Sequence, residues 1–175
     1  MQFKTTLLSA LFFGSSQTLA TAIEARQNCG NSEHAIAFYR AYSSSATDHF
    51  YTTSATEIKN AYSNLGYTYE GVAGHIFPSQ ERGTIPLYRL YGSSATDHFY
   101  TISASEKDNA ALVGYTNEGI AGFVYPDSTC GGQALYRLYS GGATDHFYTM
   151  SSTEANNANQ HLGYAREGNV GFIFP

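Results

Sequence analysis

Leu87-Tyr88-Arg89-Leu90-Tyr91, a short Gly/Ser-rich break, and then Asp97-His98-Phe99-Tyr100-Thr101 is the stretch that decides the fold, because the chain contains it three times. Its counterparts are Phe38-Tyr39-Arg40-Ala41-Tyr42 with Asp48-His49-Phe50-Tyr51-Thr52, and Leu135-Tyr136-Arg137-Leu138-Tyr139 with Asp145-His146-Phe147-Tyr148-Thr149. Self-similarity at a fixed period is read before any local signal, since it makes one supersecondary unit the building block of the whole chain. Both halves of the motif alternate with a period of two, as strands do, and the break between them suits a hairpin loop of four to six residues.

The unit extends the same way in every copy. Ser54 with Glu57, Ser103 with Glu106 and Ser151 with Glu154 have capping-box spacing, so each opens a short helix. In the first copy Ile58, Ala61, Tyr62 and Leu65 show the three-four spacing of a buried helical face. Gly66, Gly114 and Gly163 stand where a C′ glycine ends such a helix. A last strand then runs through Glu-Gly-x-x-Gly to Pro78, Pro126 or Pro175. The expected unit is ββαβ, over 38–78, 87–126 and 135–175, giving a mainly β protein with short helices (α+β). An open stack needs polar terminal repeats, and the third copy runs unaltered to Pro175. The expected assembly is therefore closed about a pseudo-threefold axis, trefoil-like or prism-like.

Composition narrows the function. The chain has 175 residues, only 13% of them charged, with 15 Tyr, 11 Phe and no Trp, and a formal charge of −5. Such an aromatic load argues against disorder. An acidic chain without a Lys/Arg cluster argues against nucleic-acid or anionic-membrane partners. Residues 1–20 have the pattern of a signal peptide, with Lys4, an apolar run Leu7 to Phe13 and a small-residue zone at Thr18–Ala22. Residues 21–37 form an N-terminal arm before the repeat domain of 38–175. Cys29 and Cys130 are the only cysteines, and in an oxidising compartment they read as one disulfide pinning that arm to the repeats. The expectation is a secreted, extracellular, monomeric protein with no cofactor and no metal.

The run Leu-Tyr-Arg-Leu-Tyr…Asp-His-Phe-Tyr-Thr…Glu-Gly…Gly-Phe-x-x-Pro resembles a secreted repeat family of bacteria and fungi classed as a domain of unknown function. Members resemble stand-alone small proteins or modules attached to cell-wall hydrolases and peptidases, a context that implies an accessory role on glycan or wall polymer. Ala41 in place of Leu, and His75 in place of Phe, depart from the pattern of the other copies.

A catalytic centre needs one copy of each group, so polar residues kept three times are either scaffold or three equivalent sites. Arg40, Arg89 and Arg137 are expected to pair with carboxylates, Asp48, Asp97 and Asp145 to satisfy turn amides, and Glu57, Glu106 and Glu154 to cap helices. In the strand His-Phe-Tyr-Thr, His and Tyr share one face and Phe the other. With Phe50, Phe99 and Phe147 turned inward, His49, His98 and His146 would face water with Tyr51, Tyr100 and Tyr148, beside Tyr42, Tyr91 and Tyr139. Aromatic platforms with wet hydroxyls suit sugars. The expected function is a non-catalytic, lectin-like module binding extracellular carbohydrate or cell-wall polymer at up to three weak sites. The alternatives are a secreted hydrolase or its accessory domain, for which no G-x-S-x-G or H-E-x-x-H is present, and an effector- or inhibitor-type protein binder.

Overall fold

The computed structural model describes residues 28–175. The signal-peptide reading of 1–20 and the first part of the arm lie outside the described residues. Each copy forms two strands, a helix and a third strand. The first is β1 (Ile36–Ser43), β2 (Asp48–Thr52), α1 (Ala55–Asn64) and β3 (Thr68–Ile76). The second is β4 (Ile85–Gly92), β5 (Asp97–Thr101), α2 (Ala104–Leu112) and β6 (Thr116–Val124). The third is β7 (Gln133–Ser140), β8 (Asp145–Thr149), α3 (Ser152–His161) and β9 (Ala165–Ile173). Each unit is its own three-stranded antiparallel sheet with the first strand in the middle, in the orders β2-β1-β3, β5-β4-β6 and β8-β7-β9. The ββαβ expectation holds in all three.

The sheets meet around a common axis. The short strands β2, β5 and β8 all touch one another, and so do β3, β6 and β9. Along that axis the core is built in layers. At one end lie Asp48, Asp97 and Asp145, each fully buried. Next come Tyr51, Tyr100 and Tyr148, with ring centroids 5.3–5.6 Å apart and planes crossing at 79–84°. Phe38, Leu87 and Leu135 follow with Ile76, Val124 and Ile173. The far end is closed by Phe77, Tyr125 and Phe174, again edge to face at 5.6–5.9 Å. Edge-to-face contact suits three rings around an axis because each positive rim meets a neighbour's negative face.

At the far end the third strands bridge directly, His75 to Phe174, Phe77 to Phe123 and Tyr125 to Phe172. That approach explains a glycine in each unit. A Cβ on Gly122 would lie 2.5 Å from Ile76 Cδ1 and 2.9 Å from the Phe77 carbonyl oxygen. Gly74 and Gly171 meet the next unit in the same way. His75, the odd residue among phenylalanines, bonds through Nδ1 to the Pro175 carbonyl at 2.9 Å.

Cys29 and Cys130 form the expected disulfide, closing a loop with a sequence separation of 101. In the chain-entropy model a loop of that size adds about 4–5 kcal/mol at most. The Gly30 N–H donates to the Tyr125 hydroxyl at 3.0 Å, fixing the arm across the far end of the axis.

Two local expectations are corrected. Of the proposed buried helical face, Ile58 and Ala61 are buried, but Tyr62 and Leu65 are 44% and 61% exposed. The helix lies on its sheet through one turn only, and its last turn projects into solvent. The capping boxes are half formed. Ser54 accepts from the Glu57 N–H at 3.2 Å, but the Ser54 N–H donates to the Thr52 hydroxyl, and the Glu57 carboxylate turns away. Its destination is the neighbouring unit.

Candidate functional site

The residues repeated in every copy converge on the three seams between units. At the seam between the first and second units, the Arg89 guanidinium forms a bidentate pair with Glu57 at 2.9–3.0 Å and a second ion pair with Glu118 of its own sheet at 2.8 Å. It also lies over the Phe50 ring at 5.5 Å. Arg137 repeats this with Glu106, Glu167 and Phe99, and Arg40 with Glu154, Glu70 and Phe147. The capping glutamates thus serve two units at once. For Glu106 the Arg137 hydrogen bonds hold the carboxyl below its ordinary range against the opposing cost of burial. For Glu57 and Glu154 burial is the largest influence and raises the pKa, but Arg89 and Arg40, with the Thr52 and Thr149 hydroxyls, outweigh it, and the net direction is again down.

The Asp–His pairs also cross the seams. Asp48 accepts from the His98 N–H at 2.9 Å and from His98 Nδ1 at 2.7 Å, and Tyr67 donates to it at 2.5 Å. Asp97 does the same for His146 and Tyr115, and Asp145 for His49 and Tyr164. The expectation that these aspartates serve their own turn amides is corrected. Adjacent Asp and His point to opposite faces of a strand, so each reaches a different neighbour, and the chain closes as a ring of contacts. Burial, with the facing aspartate second, pushes the Tyr67, Tyr115 and Tyr164 hydroxyls well up. They remain donors.

The three aspartates lie within 4.8 Å of one another, with oxygen donors of the type that suits a hard cation. Each already accepts two N–H groups and a phenol, which replace water around a buried charge. Preceding each is a threonine, Thr47, Thr96 or Thr144, held at φ 54–55°. A left-handed β-branched residue is a genuine backbone outlier, and here it swings the aspartate from the hairpin toward the axis.

Tyr51, Tyr100 and Tyr148 leave the candidate site altogether, being 0–1% exposed. Each hydroxyl bridges the backbone of another unit. Tyr100 donates to the Tyr51 carbonyl at 2.6 Å and accepts from the Tyr51 N–H at 2.9 Å. Tyr148 bridges Tyr100, and Tyr51 bridges Tyr148. The reason is the closure itself. The face of β2, β5 and β8 that carries His and Tyr turns to the axis, and a phenol there must find a partner. The imidazoles sit higher, at the rim. Their side chains are 11–13% exposed, so they are not open to water as expected, yet they are not sealed.

What remains reachable is a cleft at each seam. His49 packs between Tyr42 at 4.5 Å and Phe147 at 4.8 Å, and His98 and His146 do so between Tyr91 and Phe50 and between Tyr139 and Phe99. With Nδ1–H committed to aspartate, a neutral imidazole presents Nε2 as an acceptor, a tautomer assigned from the hydrogen-bond network. The imidazoles of His49, His98 and His146 line the clefts, and Nε2 of His146 stands 3.8 Å from Glu167. The cleft against His49 has a volume of about 420 Å³ and that against His146 about 310 Å³, while that against His98 is smaller, about 180 Å³.

The helix side of each cleft carries residues the sequence reading passed over. Asn157, Ala158 and Leu162 line the first, Asn109, Ala110 and Val113 the second, and Asn60, Ala61 and Leu65 the third. The three asparagines are exposed, and Leu65, Val113 and Leu162 are 60–77% exposed at the helix ends. The signal was present as Glu-x-x-Asn-Ala in every helix, from Glu57, Glu106 and Glu154. It was hidden because the helices were read for their buried face alone.

A family model described as Domain of unknown function (DUF5648) matches residues 37–174. The chain belongs to this family. The matched span contains every seam residue described above, and the family carries no assigned function. No curated protein and no solved structure matches the chain.

Proposed function

We propose that this member of the DUF5648 family is an extracellular, non-catalytic carbohydrate-binding protein whose sites are the three seam clefts. One observation carries the reading. The largest of the described clefts is lined by the Tyr42, His49 and Phe147 rings together with the exposed Asn157, and the other two by His146, Phe99 and Asn109 and by His98, Phe50 and Asn60. A sugar offers an apolar C–H face and a fan of hydroxyls. The Tyr42 and His49 rings suit the first, and Nε2 of His49 and the Asn157 amide suit the second. An exposed aliphatic residue at the lip, such as Leu162, adds contact for an apolar substituent like an N-acetyl methyl group. Three such sites on one rigid body would gain avidity on a polymer.

The hydrolase reading has less support. The aspartates that would act as acid or base are fully buried and committed to three donors each. The disulfide hints at an extracellular setting.

The test uses Asn60→Ala/Asn109→Ala/Asn157→Ala, since these side chains are exposed and none supports the seams. Calorimetry with N-acetylglucosamine oligomers and glucan oligomers, after a glycan array, should show binding by the native protein and a loss of about tenfold or more in the triple variant. Native protein that binds no glycan, or a variant that binds as well, overturns the assignment of the clefts.

A further inference from the structure

The threefold repeat is its own control. What the fold needs of every unit appears in all three, so an exposed feature found in one unit alone is not accounted for by the shared scaffold. One such departure on the surface is an aromatic strip in the first unit. Tyr39 on β1, Tyr69 on β3 and Tyr62 on α1 stand in a row, with centroid distances of 6.3 Å and 5.9 Å. Tyr62 and Tyr69 are 44% and 45% exposed, and Tyr39 is half-buried.

The corresponding places elsewhere are built differently. Tyr62 is matched by Ala111 and Asn159, and Tyr69 by Asn117 and Arg166. The counterparts of Tyr39 are covered by cations, Tyr88 by the Lys107 ammonium at 5.5 Å and Tyr136 by the Arg166 guanidinium at 5.1 Å. In the first unit the position of Lys107 is taken by Ile58, which turns inward to fill the space left by Ala41. Among the described residues no cation lies over the first strip, and the Tyr62 and Tyr69 rings are open to solvent.

We infer that the Tyr39–Tyr69–Tyr62 strip is a second carbohydrate site, distinct from the seam clefts, that stacks on successive pyranose rings of an uncharged β-linked polysaccharide chain. The rings are tilted by 53° and 46° to one another. A stepped strip matches a single solvated chain, whose sugars rotate along its length, whereas a flat crystalline polysaccharide face calls for coplanar rings. Stacking needs no ion, and the hydroxyl rims of exposed tyrosines can share hydrogen bonds with sugar hydroxyls. This inference stands on the broken symmetry and not on the cleft reading.

The test exchanges the strip for what the second unit already carries, Tyr62→Ala/Tyr69→Asn, a pair the scaffold accommodates in another copy. The probes are laminarin and the soluble hexamer of N-acetylglucosamine as chains, with N-acetylglucosamine itself as a monosaccharide and microcrystalline cellulose as a flat face. Expected is a fall of about tenfold or more in affinity for at least one chain, with monosaccharide binding and melting temperature unchanged. Loss of chain binding in this variant but not in the asparagine triple variant supports the strip even if the clefts prove empty. Equal chain binding by variant and native protein, native protein that binds neither chain, or a strip whose replacement only abolishes self-association in sedimentation would each overturn it.

Discussion

A phenol on the axis of a closed ring has no water to turn to, and that fact governs Tyr51, Tyr100 and Tyr148. Each hydroxyl takes the place of a strand neighbour for a β-strand backbone that lacks one. Burial pushes the Tyr51, Tyr100 and Tyr148 phenols well above their ordinary value, so each holds its proton and donates. Removing one hydroxyl strips Tyr51 of both bridging bonds while leaving the ring volume intact. Tyr100→Phe should therefore destabilise the fold by about 1–3 kcal/mol, the cost of a buried donor left unsatisfied. Urea unfolding monitored by near-ultraviolet circular dichroism reads this directly, and a variant as stable as the native chain would show that the bridges add nothing. Sequence alone assigned these tyrosines to water because strand alternation says which residues share a face but not which face meets the axis. Alternation did pair His with Tyr correctly. What decided between inside and outside was a contact with residues about 49 positions away, such as Tyr100 on Tyr51, and no local pattern carries that.

At the level of elements, much was legible. Hairpins, N-caps, the C′ glycines and the final strands follow from spacing and turn chemistry, which are local. Gly66 shows it, at φ 79° after the C-cap Leu65. The end of each third strand was less legible, since the glycine before His75, Phe123 or Phe172 reads as a generic break. Its role depends on a neighbour's carbonyl. Gly122 does not need a left-handed backbone, so only the close approach constrains it. Gly122→Ala should thus act purely by steric conflict with the Phe77 carbonyl and Ile76, at a cost of about 1–3 kcal/mol for an overpacked core. A matched Gly142→Ala control, where a Cβ meets open space, should leave the melting temperature nearly unchanged. Equal melting of the two variants would mean that the far-end strands part more readily than their spacing implies.

For the molecule as a whole, the same three contacts recur at every seam, so stability is shared between seams and not held within units. The Arg–Glu pairs make that sharing depend on pH. Glu57, Glu106 and Glu154 have pKa values lowered in the fold from an unfolded value near about 4.3. Between the folded and unfolded values the unfolded chain binds more protons, so stability rises with pH across that window and is lost as pH falls through it. Above about pH 5 both states are ionised and these groups impose no further slope. The glutamates are about 40% exposed, so solvent screens each pair and the individual contribution is modest. Three in a closed ring act together, because opening any seam releases the units on either side of it. Melting temperature measured from pH 3 to pH 7 should therefore run level in the upper part and drop below about pH 4, with a single cooperative transition throughout. Glu106→Gln/Glu154→Gln removes the charge at two seams and leaves one accepting oxygen for each arginine, so the native protein should melt higher than this variant at pH 7 and converge on it at pH 3. No advantage of the native protein at pH 7 would mean that Arg40 and Arg137 hold their seams through packing on Phe147 and Phe99, with the carboxylates as bystanders.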